Sequence, residues 1–306
     1  MTTATAIATR DGVRPIDLLW EADIAAAAAD GTVRGGALPA DLAARYGGRL
    51  EIPLHVARPT IVVNFVSTLD GAVALDRTGA SGGREISGAS EPDRFVMGLL
   101  RASADAVLVG AGTVRSSRTH SWTAGHIHPP SAAAFDRWRA GLGLTTAATT
   151  TVMVSTSGDL EARHLGLDDP DQSVIVVTTT PGARRLRATF ATRDDVEIVA
   201  VAHEGPIPAA SLIDFLRERG FGLVLCEGGP TLFADLVAAR AVDELFLTVA
   251  PQVVGRSTGV ERLALVEGTA FAPHSAPWTR LRSVRRADDH LFLRYAFDQP
   301  HQGGMS

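Results

Sequence analysis

Between Glu227 and Leu232 the chain reads Glu-Gly-Gly-Pro-Thr-Leu, an order of residue types suited to holding an anion. Gly228 and Gly229 lack a Cβ and let backbone approach a ligand closely. Pro230 fits a first helical turn, where its missing N–H is not needed. The free N–H groups that open a helix, together with its dipole, favour a phosphate. Glu227 adds a carboxylate that can accept hydrogen bonds or move a proton. By itself a Gly-Gly-Pro run reads first as a tight turn with no ligand; other stretches shift that balance. Gly110-Ala111-Gly112-Thr113 is a second glycine-rich turn, and Thr68-Leu69-Asp70-Gly71 ends in a carboxylate that either acts in a pocket or only shapes the turn.

These turns need strands to carry them. Leu223 to Cys226 is too short for a helix and reads as a buried strand, after which Leu232, Phe233, Leu236 and Val237 recur at helical spacing. Ile61 to Ser67 and Ala106 to Val109 read as strands ending at the other two turns. Ser90, with Asp93 where a capping box usually has Glu or Gln, starts a helix whose inner face is Phe95, Val96, Leu99 and Leu100. Further strands are expected at Thr151 to Ser155, Ser173 to Thr178, Val196 to Val201 and Glu244 to Val249, with a helix over Ser211 to Arg219. Trp278 to Arg286 and His290 to Phe297 alternate around a turn and predict an antiparallel hairpin. Parallel β/α units closed by such a pair make an α/β sandwich.

The rest of the chain carries less chemistry. Residues 1–57 read as an arm, partly helical, with Leu18, Leu19, Trp20 and Ile24 as one amphipathic helical candidate and Asp41 to Tyr46 as another; 299–306 read as a flexible tail. Gly79 to Gly88 is a Gly/Ser-rich loop. Ser116 to Thr150 is a long connection with one short helix near Ser131 to Ala140, a lid, a substrate loop or an insertion. His120, His126 and His128 fall there, and without a carboxylate or cysteine at ligand spacing they predict a solvated loop and no metal. A net charge of −5 with both signs dispersed argues against nucleic acid, and no apolar run would span a bilayer. With no signal-peptide pattern and Cys226 as the single cysteine, the chain reads as cytoplasmic.

In order, Ser67-Thr68-Leu69-Asp70-Gly71, Ile86-Ser87-Gly88, Leu99-Leu100-Arg101, Val109-Gly110-Ala111-Gly112-Thr113-Val114, Glu227-Gly228-Gly229-Pro230-Thr231-Leu232 and Val242-Asp243-Glu244-Leu245 make a specific set. The set resembles the riboflavin-biosynthesis pyrimidine reductases, the dihydrofolate-reductase-like half of bifunctional deaminase-reductases. The resemblance implies a dihydrofolate-reductase-like three-layer α/β/α sandwich over 58–298, with a mostly parallel central sheet of about eight or nine strands and a C-terminal antiparallel hairpin. It implies NADPH as hydride donor, a homodimer, and a 5-amino-6-ribosylamino-pyrimidine 5′-phosphate whose ribosyl group is reduced to ribityl. A Pro-Cys-x-x-Cys-like deaminase run is missing, so a reductase alone is expected.

The same resemblance distributes roles. Gly228, Gly229, Pro230, Thr231 and Leu232 would hold the cofactor pyrophosphate; Gly110, Gly112 and Thr113 would line the nicotinamide; Ser67 and Thr156 are further cofactor positions. Arg101 matches the arginine that binds the substrate phosphate, where the residue alone reads as a solvated helix-terminal arginine; Ser81 joins it on the substrate side, and Arg118 is the candidate to replace a later family arginine. Glu227, Asp70 and Asn64 are the catalytic candidates, with the Glu227 pKa expected to rise if ligands desolvate it. Two departures matter. Bifunctional relatives carry lysine where this chain has Asn64, an amide that cannot supply a proton as an ammonium can, so the donor is open and water is an alternative. After Val114 the family's Leu-Ala-Asp-Asp-Pro is replaced by Arg115 to His120. Arg184 and Arg185 either meet a cofactor 2′-phosphate or form an exposed basic pair. Alternatives are a dihydrofolate reductase or other small carbonyl or imine reductase on the same fold, and a non-catalytic nucleotide-binding homologue.

Overall fold

A computed structural model describes residues 15–22, 32–76, 82–144, 149–169 and 172–298. In chain order the strands are β1 (Asp17–Glu21), β2 (Val33–Gly36), β3 (Leu50–Pro53), β4 (Thr60–Ser67), β5 (Ala72–Ala74), β6 (Ala106–Gly110) and β7 (Thr150–Ser155). They continue with β8 (Val174–Thr179), β9 (Val196–Ala202), β10 (Leu223–Cys226), β11 (Glu244–Val249), β12 (Leu263–Ala264), β13 (Thr279–Ala287) and β14 (His290–Phe297). The helices are α1 (Ala40–Tyr46), α2 (Gly83–Ile86), α3 (Glu91–Ser103), α4 (Ala111–Ser116) and α5 (Ala124–Ile127), then α6 (Ala132–Gly141), α7 (Leu165–Asp168), α8 (Thr180–Thr189), α9 (Ala209–Glu218) and α10 (Pro230–Ala238).

The main sheet has ten strands in the order β1-β13-β14-β11-β4-β10-β6-β7-β8-β9. From β11 to β9 all pairs are parallel, and β14, β13 and β1 extend the sheet antiparallel. Alternation along the strands sorts their side chains to two faces. Val62, Val107, Val109, Met153, Val176 and Leu225 meet α3, α6 and α8, while Ile61, Val63, Leu108, Val152, Val177 and Val224 meet α9 and α10. The chain is therefore an α/β fold with helices on both faces of a mostly parallel sheet.

The sheet exceeds the expected eight or nine strands because residues read as arm add an edge. Leu18, Leu19 and Trp20, expected in a helix, lie in β1, whose backbone pairs with β13; Ile24 and the tail lie outside the described residues. The antiparallel pair of β2 and β3, joined through α1, is tied down by Arg34, whose two terminal nitrogens donate to Asp105 at 3.1 Å each. The long connection carries α5, α6 and a short 3-10 turn at Pro129–Ser131, and it buries Trp122, Phe135 and Trp138 against α3.

The amino ends of the central strands are fixed by two aspartates. Asp105 accepts from the N–H groups of Gly222 (2.9 Å) and Leu223 (2.7 Å) and so sets the entry to β10. Asp243 accepts from Ile61 N–H (2.8 Å), Arg58 (2.9 and 2.6 Å) and His55 (2.8 Å), fixing β4 beside β11. Burial pushes the Asp243 carboxyl up, but the hydrogen bonds from His55 and Arg58 outweigh it and hold it below the usual range.

Candidate active site

The carboxyl ends of β4, β6 and β10 open into a cleft of about 1210 Å³. Two turns form its cofactor-shaped side. Gly110 N–H donates to Gly228 O at 2.7 Å, and Glu227 N–H donates to Leu108 O at 3.0 Å, so the diglycine turn after β10 is laced to the end of β6. Gly228 has φ +99°, which glycine adopts without steric cost, and a Cβ on Gly110 would sit 3.4 Å from Gly229 N. The first bond across the turn that opens α10 runs from Phe233 N–H to Gly229 O at 3.1 Å, so the N–H groups of Thr231 and Leu232 precede the helical ladder. Gly110, Gly112, Thr113, Thr156, Gly229, Pro230, Thr231 and Leu232 line the cleft together. Small residues, free N–H groups and room for a dinucleotide fit a nicotinamide cofactor with its pyrophosphate at α10.

The other side departs from expectation. Arg101, assigned by resemblance to a substrate phosphate, is completely buried, and its five N–H groups all have protein acceptors. Nε and Nη2 donate to the Glu227 carboxylate at 2.8 and 2.7 Å, Nη1 donates to the carbonyls of Ser121 (3.2 Å) and Thr123 (3.0 Å), and Nη2 also meets His120 Nε2 at 2.8 Å. His120 is the acceptor in that contact: burial, then Arg101, pushes its imidazole down to about 2, so it is neutral. The connection that follows α4 thus clamps Arg101 onto Glu227. A phosphate at Arg101 would have to displace a bond already made.

Asn64 is 8 % exposed and lies on the α3 side of β4, in register with Phe246; Thr248, two residues on, shares that face. Above them stands Asp93, 5 % exposed on the first turn of α3 and on the cleft wall with Asn64 and Glu227. Burial pushes its carboxyl up to about 6, against a hydrogen bond from Thr248 and the charges of His290 and Arg94; the Glu227 charge adds to the rise. The sequence marks Asp93 only as an odd capping residue, and the structure shows why: Ser90 Oγ accepts its N–H at 3.4 Å while its carboxyl turns to Thr248. Arg94, also on the wall, has a buried Nε with no hydrogen-bond partner. No spacing signal pointed to it.

Other expected residues lie elsewhere. Asp70 is outside the cleft lining, accepting from Thr68 Oγ1 (2.6 Å), Val254 N–H (3.4 Å) and Gly255 N–H (2.7 Å). The Thr68 and Gly255 bonds hold its carboxyl down at about 2, as suits a turn-shaping role. Ser67 is buried at the end of β4, also outside the lining. Arg118 is exposed and pairs with Glu161, while its neighbours Ser117 and Thr119 line the cleft. Ser81 lies outside the described residues. The histidine loop is not uniformly solvated: His128 is buried against Glu91, and His120 sits beside Trp122. Among the described residues no group of three or more His, Cys, Asp or Glu could hold a metal, and no helix is long and apolar enough to cross a membrane.

Residues 59–287 match the family described as RibD C-terminal domain. A chloroplastic riboflavin biosynthesis protein PYRR of Arabidopsis thaliana is 29 % identical over 214 residues, 69 % of this chain and 31 % of that protein. A 2,5-diamino-6-ribosylamino-4(3H)-pyrimidinone 5′-phosphate reductase of Methanothermobacter thermautotrophicus is 28 % identical over 211 residues, 69 % of this chain and 85 % of that one. In fold, the chain resembles a pyrimidine reductase-like protein of Corynebacterium diphtheriae, with TM-score 0.63, 22 % identity, and coverage of 80 % of this chain and 94 % of the other.

Proposed function

Because the chain belongs to the RibD C-terminal domain family, we propose that it is a reductase of a ribosylaminopyrimidine 5′-phosphate, using NADPH to convert the ribosyl group to ribityl in riboflavin synthesis. The observation that carries this reading is the shared cleft, in which the phosphate-ready start of α10 and the polar group of Asn64, Asp93 and Glu227 face one space. Gly229 to Leu232 hold the pyrophosphate, and Gly110, Gly112 and Thr113 leave room for the nicotinamide. The cofactor supplies a hydride; the polar side binds and orients the pyrimidine.

With Arg101 committed to Glu227, Arg94 is the cation best placed for the substrate phosphate, with Arg84 at the rim. Arg115 on the cleft wall, and Arg185, which donates to the carbonyl of wall residue Ser157 at 3.2 Å, are the candidates for a 2′-phosphate. Arg184 is exposed on α8. A homodimer in the cytoplasm completes the reading, with Leu18, Leu19 and Trp20 on the sheet edge as exposed apolar surface.

One observation favours a second reading. The clamp on Arg101 and the pairing of Arg118 with Glu161 remove two expected phosphate contacts, which suits a reductase of an unphosphorylated imine or carbonyl. NADPH oxidation with the diaminopyrimidine ribosyl phosphate, its deaminated form and dihydrofolate in separate cuvettes tests both. Turnover of either pyrimidine supports the first reading, turnover of dihydrofolate alone the second, and NADPH binding without turnover leaves a nucleotide-binding protein.

A further inference from the structure

We propose that Asp93 is the general acid of this site, giving its proton to the substrate's ribosyl oxygen as the ring opens; the inference rests on the reductase reading above. The chemistry asks for a proton as well as a hydride. Reducing a ribosylamine to a ribitylamine forms a C1′–H bond and breaks C1′–O4′, whose electron pair stays on O4′ and must be protonated. The dihydronicotinamide supplies the hydride and is oxidised. Asp93 supplies the proton, becomes a carboxylate and is reprotonated from solvent.

The other candidates on the wall fail on geometry. Both Glu227 oxygens accept from Arg101, so a proton on either would break one of those bonds. Asn64 has only amide hydrogens. His120 uses its free nitrogen toward Arg101 Nη2. Asp70 is tied into its turn outside the cleft. Of the remaining wall carboxyls, Glu85 accepts from Gly82 N–H (3.0 Å), Glu267 from Ala264 N–H (2.6 Å), and Asp235 lies on α10, away from α3. Asp93 remains: a buried carboxyl on the wall it shares with Asn64 and Glu227, reached by one uncharged donor, Thr248.

Its surroundings support the role from every side. From β11 the Thr248 hydroxyl bonds the carboxyl; from β14 His290, and from α3 Arg94, favour the carboxylate; burial and the Glu227 charge beyond β10 oppose it more strongly. The balance leaves roughly a tenth of the carboxyl protonated at pH 7, against about a thousandth for an ordinary aspartate, which suits a general acid. His290 itself is oriented by the Ser87 carbonyl, 3.0 Å from its Nε2.

The test uses the full chain, NADPH and the ribosylaminopyrimidine phosphate. Asp93→Asn should lower kcat by about 100-fold or more with little change in KM. It should also abolish the decline of wild-type kcat at alkaline pH, and Asp93→Glu should restore part of the rate. A second readout needs no turnover: in protein labelled with 13C at aspartate carboxyls, without ligands, the resonance absent from Asp93→Asn should titrate near pH 6. Wild-type kcat in Asp93→Asn, or titration of that resonance at about 4, the range of an ordinary aspartate, overturns the assignment. If Asp93→Asn fails to fold, Asp93→Glu serves in its place: an unchanged rate and pH profile overturn the proposal, a lower rate with a shifted alkaline limb supports it. A wild type inert toward every pyrimidine sinks the reductase reading and the acid together, whereas an active wild type with an equally active Asp93→Asn sinks only the acid.

Discussion

Asp243 and Asp93 are buried to a similar degree, 8 % and 5 % exposed, yet their carboxyls shift in opposite directions. At the amino end of the strands Asp243 receives Arg58, His55 and a backbone N–H, and its carboxyl is held down. At the carboxyl end Asp93 receives one hydroxyl and is pushed up to about 6. A buried carboxylate with enough donors is a structural tie; one left short of donors is costly to the fold and useful to chemistry. Arg101 and Arg94 make the same contrast among cations, since one has every donor satisfied and the other keeps a buried Nε without a partner.

The largest effect is expected at Arg101. Removing it leaves Glu227 buried without its partner, so Arg101→Ala should lose about 3–5 kcal/mol of stability in denaturant unfolding. A folded, equally stable variant with only a raised KM would instead make Arg101 a substrate anchor and dissolve the contrast with Arg94. Asp93 comes next. Its carboxyl rises from 3.8 to about 6 on folding, so wild-type stability is greatest below the unfolded value and declines as pH climbs through the folded one. Asp93→Asn should escape that decline and exceed wild type by about 3 kcal/mol above neutral pH, read from urea midpoints across pH. Equal pH slopes for the two proteins would refute it.

Asp243 should behave in the reverse sense. Its depressed carboxyl contributes stability above the unfolded pKa and loses it as pH falls through the folded value, and Asp243→Asn should cost about 2–3 kcal/mol at neutral pH and less in acid. Arg94→Ala should raise KM for the phosphorylated substrate about tenfold with kcat nearly kept, roughly 1.4 kcal/mol of binding; an unchanged KM would favour the unphosphorylated substrate. Arg118→Ala, at a pair exposed on both sides, should shift stability by less than about 0.5 kcal/mol and leave KM alone.

The glycine turns and their strands were legible because their signals are local. Leu223 to Cys226 and Glu244 to Val249 need only a short apolar run between turn residues, and both are strands with those bounds. β1 was not legible: Leu18, Leu19 and Trp20 stay exposed, and the strand exists because of backbone pairing with β13 far along the chain. The glycine-lined side of the cleft follows from glycines and a helix start, whereas the polar side depends on which distant groups reach one another. That Arg101 meets Glu227, and that Asp93 meets Thr248, is decided by the packing of α3 over the sheet and by the path of the chain after α4. The family resemblance placed Arg101 on a ligand, and its place after Ser90 put Asp93 in a cap.

The most direct test of the central claim is isotopic. The protein would be incubated with the diaminopyrimidine ribosyl phosphate, or its deaminated form, and NADPH carrying deuterium at C4 of the nicotinamide, and the product examined by mass spectrometry and NMR. A ribityl product with deuterium at C1′ is the expected result. No ribityl product from either pyrimidine, in the presence of protein shown to bind NADPH, would contradict the account.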